Sequence, residues 1–158
     1  MGLAARLITT PSVARAPIAV FRAGFGFVFA GRLLMLEHRG RNSGAWHRVA
    51  LEVVDREAGD SIVIASGFGP RAQWYRNLAA DSRCVVSVGL IRRRRARAEL
   101  LDAERGATLL ADYAARHPTG WRELRRMISD VTGDPSSPIP LVRLRLESAR
   151  SAQTTRPS

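Results

Sequence analysis

Between Leu33 and Leu100 the apolar residues come in short runs, cut apart by clusters of Gly, Asn, Asp, Ser and Pro. That rhythm specifies an antiparallel sheet or a small barrel. The runs predict strands at Leu33–Glu37, Arg48–Val54, Ser61–Ala65, Arg83–Val88 and Arg92–Leu100, with a last one at Pro140–Leu146. Residues 39–44 read as a tight basic turn and Asp55–Asp60 as a polar one, and Gly89-Leu90-Ile91 closes a hairpin. A short helix, Gln73–Ala80, interrupts the strands. Asp102 is suited to N-cap a helix reaching about His117, where Pro118 cannot continue the ladder. A second helical pattern, Trp121, Leu124, Ile128 and Val131, opposes Arg122, Glu123, Arg125 and Arg126 and is broken by Gly133–Pro138. The predicted class is mainly β with helices.

The 158 residues, 46% of them apolar, suit one domain whose core needs neither metal nor disulfide, and Cys84 is a single thiol inside an apolar strand. The formal charge is +11, which taken alone points to nucleic acid, anionic lipid or a phosphorylated ligand. Every basic residue is Arg, a bias that a GC-rich genome produces without any one partner being selected.

Residues 1–32 form a basic and apolar segment with Arg6, Arg15, Arg22 and Arg32 and no acid. Its uncharged run Ala23–Gly31 is far shorter than the ~20 residues of a membrane span. Arg15 and Arg22 spoil a secretory signal, so a cytoplasmic protein is expected. Ile18, Phe21, Phe25, Val28 and Phe29 recur at helical spacing, either as a helix on the protein's own core or as one dipping into an anionic membrane interface. The expected organisation is this helical segment, a domain at 33–147 and a disordered tail at 148–158.

Three constellations carry possible chemistry. In Gly40-Arg41-Asn42-Ser43-Gly44, followed by His47 and Arg48, two glycines can turn backbone N–H groups outward beside a hydroxyl and three cations, an anion nest, or simply a solvated hairpin. Ala65-Ser66-Gly67-Phe68 leaves a strand end, where backbone can approach a flat ring, with Trp74 as an apolar wall; alternatively Trp74 and Leu78 are the core face of the short helix. The run Arg92–Arg95 with Arg97 has no aromatic neighbour for base stacking and reads as a solvated edge strand, so no nucleic-acid partner is expected. Metal-ligand spacing, a nucleophile elbow, a P-loop and a dinucleotide fingerprint are all missing. An enzyme built this way would draw its chemistry from a cofactor.

The order Leu34-Met35-Leu36, Gly40-Arg41-Asn42-Ser43-Gly44, Val49-Ala50-Leu51, Ala65-Ser66-Gly67, Trp74-Tyr75-Arg76-Asn77-Leu78 and Ile139-Pro140-Leu141-Val142-Arg143-Leu144 resembles the deazaflavin (F420)-dependent nitroreductase family, over about residues 33–147. The resemblance implies a split β-barrel related to FMN-binding barrels, with about six antiparallel strands and helices toward both termini. It implies an oxidoreductase passing hydride from reduced F420 to an electron-poor small molecule (a quinone, enone or nitro compound), with FMN as the alternative cofactor. Carried over residue by residue, Arg41, Asn42, Ser43, His47, Arg48 and Val49 would hold the phosphate side of the cofactor. Ala65, Ser66, Gly67, Phe68, Trp74, Tyr75 and Asn77 would flank its ring and ribityl chain. Asn42 stands where the family commonly has a cation. Tyr113 and His117 are candidate proton donors and Trp121 a wall of the acceptor site. A non-catalytic carrier of an apolar ligand or flavin-type cofactor is the alternative, and the chain is expected to be a monomer or homodimer.

Overall fold

The computed structural model describes residues 33–58, 60–66 and 69–148. Six strands, β1 (Leu33–Arg39), β2 (Trp46–Glu57), β3 (Ser61–Ala65), β4 (Arg83–Val88), β5 (Ile91–Leu100) and β6 (Leu141–Leu146), close into one antiparallel barrel in the order β1-β2-β3-β6-β5-β4. A 3-10 turn (Gly69–Arg71) and helix α1 (Gln73–Ala80) connect β3 to β4, and α2 (Ala103–Arg116) and α3 (Pro118–Thr132) connect β5 to β6. No helix among the described residues is long and apolar enough to cross a membrane.

The alternation of side chains along a strand sorts the core into two clusters. Leu34 and Leu36, Ile62 and Ile64, Cys84 and Val86, Ala96, Val142 and Leu144 form one, joined by Trp74 and Leu78 from α1. Val54, Val63 and Leu141, from the other strand faces, form the second beneath Leu110 and Tyr113 of α2 and Leu124 and Ile128 of α3. β3 is therefore buried on both faces, which explains its unbroken Ile-Val-Ile. Cys84 is a free thiol buried in this core, and burial pushes its pKa up to about 12.

The ends of β3, α1 and β4 fall where the sequence puts them; other elements differ for identifiable reasons. β1 continues to Arg39 because His38 and Arg39 pair with His47 and Trp46 of β2. β2 continues through Asp55–Glu57, expected as a turn, because these residues pair with Ser61–Val63 after a register shift between Val53 and Asp55. Glu57 is held there by Arg143 of β6. Asp102 caps α2 as expected, its carboxylate accepting the Arg105 N–H at 2.9 Å. Pro118 opens α3, where a first-turn residue needs no N–H, and Gly133 ends it at φ 73°.

Only part of the arginine run escapes the edge: Arg97 is paired on both sides, while Arg92–Arg95 lie before the β6 ladder, which starts at Ala96, and keep β4 as their ladder partner. β5 pairs with β4 on one side and β6 on the other. The β4–β5 register shifts between Val86 and Val88, and Arg93 takes a positive φ of 45°; its N–H donates to Ser87 Oγ and its guanidinium to buried Glu37. Further along, Arg83, Arg97 and Arg145 face one another directly across β4, β5 and β6, a repulsive row. Asp81 grips Arg83 and Glu99 grips Arg145, which offsets it; the Arg83 contacts hold the Asp81 carboxyl down to about 2. The aromatic stripe at 18–29, the tail beyond Ser148, and Gly67 and Phe68 lie outside the described residues.

Gly120 of α3 lies close against buried Tyr113 of α2: a Cβ there would lie 2.5 Å from the phenol oxygen and 3.3 Å from Cζ. Gly120→Ala is expected to lower stability by about 1–3 kcal/mol, read as a fall in the urea midpoint. An unchanged midpoint would show that the α2–α3 contact yields freely.

Candidate functional site

A cavity of about 1290 Å³ opens between the β1–β2 turn, α1 with the 3-10 turn before it, and the stretch from the end of α3 to Pro140. Among the described residues that line it the cations are Arg41, Arg48 and Arg71, with His38 and His47 beside them, and there is no carboxylate. Val49, Trp74, Pro138 and Pro140 supply apolar wall.

Arg41 is fixed from α1. Its backbone N–H and Nη1 both donate to Asn77 Oδ1, at 3.2 and 2.8 Å, and Nη2 donates to Gln73 Oε1 at 3.0 Å. Both acceptors are neutral amides, so the guanidinium is oriented without losing its charge. Arg48 is different: its Nε donates to the Glu37 carboxylate at 3.2 Å.

With Oδ1 of buried Asn77 taken by two donors, its Nδ2 faces His38 Nδ1 at 3.1 Å. His38 therefore accepts there and carries its proton on Nε2. It stacks on His47 across the β1–β2 ladder, ring centroids 5.8 Å apart. Burial, with a smaller contribution from His47, lowers the His38 pKa to about 4. Gln73 and Asn77 are four apart on α1, as are Trp74 and Leu78, so one stripe of this short helix meets the turn and another the core.

The turn is not the backbone nest that its two glycines suggested. The Gly40 N–H donates to Ala45 O and the Gly44 N–H to Gly40 O, so both point into the loop, and the Ser43 hydroxyl accepts from Ala45 N. Gly40 instead permits close approach: a Cβ there would lie 2.6 Å from Ser43 Oγ and 2.9 Å from His47 Nε2. Charge in this cavity comes from side chains.

Of the residues singled out in the sequence, Arg41, Asn42, Ser43, His47, Arg48, Val49, Trp74 and Asn77 line the cavity together. Trp74 does so while buried in the core cluster, so it is both core face and wall. Ala65, Ser66 and Tyr75 do not line it. Ala65 packs on the second cluster; Ser66 is fully buried, its Oγ donating to Gly69 O at 2.6 Å; Tyr75 packs on the first cluster, edge-on to Trp74. Tyr113 and His117 line a separate depression of about 600 Å³ with Asp55 and Arg116, and Trp121 packs on the second cluster beneath Arg125. His38, Arg71 and Gln73 line the cavity without having been singled out as binding residues. The polar Gln73–Asn77 spacing was the available signal for Gln73.

The family model for F420H(2)-dependent quinone reductase matches residues 18–138. The chain belongs to that family. Among solved structures, this reductase-family chain is similar to an F420-H2 dependent reductase at 19% identity and TM-score 0.50, covering 72% of this chain and 93% of that one. It is similar to an FAD-binding protein from Mesorhizobium loti at 19% identity and TM-score 0.51, covering 80% and 89%. A chain described as a domain-swapped dimer matches at 16% identity and TM-score 0.54, covering 85% and 99%. At these identities the likeness is one of fold, a split β-barrel. No curated protein matches the sequence.

Below pH 6.5 an unfolded chain takes up a proton on His38 that the folded chain refuses until about pH 4. This contribution to stability is complete above pH 6.5 and declines as the pH falls toward 4, by up to about 3 kcal/mol. His38→Asn keeps an acceptor without the titration. Urea unfolding at pH 7 and pH 4.5 is expected to show a smaller acid loss in that variant than in the wild type.

Proposed function

We propose that this chain is an F420-dependent oxidoreductase that uses the Arg41 cavity to hold the cofactor and delivers hydride to a quinone. The observation that carries the reading is the cavity's electrostatics: Arg41 is held by two neutral amides in a wall whose described residues include no carboxylate. Such a site is matched to a ligand bearing phosphate or carboxylate groups. The cavity also exceeds the ~300–1,000 Å³ usual for small-ligand sites, as an extended cofactor plus acceptor requires.

Bound there, reduced F420 supplies a hydride to an electron-poor acceptor. The protein's part is placement. Arg41 and Arg71, with Asn42 and Ser43, take the anionic portion, while Trp74, Val49 and the prolines present apolar surface to flat rings and displace water from them. Arg48 reinforces the anion side while tied to Glu37. Since Tyr113 and His117 line the other depression, we assign the accompanying proton to solvent at the cavity mouth.

Titrating the purified protein with oxidised F420 and, in parallel, FMN is expected to give selective micromolar or tighter F420 binding, and the reduced cofactor should then be oxidised by quinones. Arg41→Ala should weaken binding about ten- to a hundredfold. Preference for FMN would move the protein to flavin chemistry, and binding without turnover by any quinone would make it a carrier.

A further inference from the structure

We propose that His38 is a positioning residue for anion capture: by accepting the Asn77 amide hydrogen, its imidazole fixes the amide orientation that holds Arg41 at the cavity. The proposal rests on the preceding reading only for the identity of the anion. An Asn side chain can turn its oxygen and nitrogen either way. Here one choice satisfies every partner. Oδ1 meets the Arg41 N–H and Nη1, and Nδ2 meets a ring nitrogen that has to be a bare lone pair. The opposite orientation would set amide hydrogens against two Arg41 donors and an oxygen against that lone pair. All three residues line the cavity, and His38 and Asn77 are buried, so water does not readily substitute for a lost partner.

What keeps the lone pair available is the setting of the ring. β2 places His47 against it and β4 places the neutral Cys84 thiol opposite it in the ladder, while α1 brings Asn77 and, through it, Arg41. Burial disfavours the charged imidazole, His47 adds to this, and among the described residues no carboxylate makes an ion pair with the ring. His38 thus stays neutral well below the ordinary range of histidine.

The test compares full-length wild type with His38→Phe, His38→Asn and Asn77→Asp, first without ligand. Imidazole nitrogen NMR should find His38 as the Nε2–H tautomer through pH 5, with the Arg41 amide protected from hydrogen exchange because it donates to Asn77. His38→Phe should speed that exchange about tenfold and weaken F420 and inorganic phosphate by a similar factor. His38→Asn, whose Oδ1 replaces Nδ1, should restore both. Asn77→Asp, which confronts Nδ1 with a carboxylate oxygen, should raise the His38 pKa above its ordinary 6.5 and weaken phosphate binding. Arg41 exchange unchanged in His38→Phe, or an unshifted His38 titration in Asn77→Asp, would overturn the proposal. Should the exchange and titration results hold while wild type ignores F420, the relay stands and the cofactor assignment fails.

Discussion

Closure of the barrel is the constraint from which the rest follows. Six short strands joined in a ring leave no edge strand, but each strand has to serve two ladders, and the interior has to be filled from all of them. Small and medium aliphatic residues on alternate positions do most of this, and α1 adds Trp74 and Leu78 to the same cluster. Burying those two side chains also fixes the helix's rotation. Gln73 and Asn77 then have to face the β1–β2 turn, so the geometry around Arg41 is a by-product of how the barrel interior is filled.

The polar groups drawn into this interior are satisfied. Glu37, His38, Ser66, Asn77 and Ser87 are buried, and no buried side-chain nitrogen or oxygen among the described residues lacks a hydrogen-bond partner. Glu37 is the most exposed to failure, since a buried carboxylate without a partner is costly. It is answered from two directions, by Arg48 of β2 and by Arg93 at the β4–β5 irregularity. The bulge and the positive φ of Arg93 thereby acquire a reason: they bring a guanidinium from β5 past β4 to a carboxylate on β1.

Much of this was legible in the chain itself. β3, α1 and β4 are bounded by residues that stop a strand or helix locally, and Asp102 marks the start of α2 by its own chemistry. Where the ends depended on partners, the sequence misled. Asp55–Glu57 look like a turn and stay in β2 because β3 and Arg143 hold them; the strand of the Arg run looks like an edge, yet its second half, Ala96–Leu100, is paired with β6 because the barrel closes, while Arg92–Arg95 have β4 as their ladder partner. The candidate site divides in the same way. Residues next to the β1–β2 turn and on α1 come together, since local spacing determines their faces. Ser66, Tyr75, Tyr113 and Trp121 depended on long-range packing, which drew them into the core or into another depression.

Among the described residues the Arg41 guanidinium hydrogen-bonds to neutral amides, and its wall of the cavity includes Arg71. Guanidinium groups do not deprotonate in water at any pH a cell reaches. The cavity mouth therefore carries a permanent positive potential whose reach is set by the surrounding ions, about 8 Å at physiological ionic strength. An anion drifting past is drawn in before any hydrogen bond forms, so the speed of capture varies with salt while remaining nearly indifferent to acidity in the neutral range.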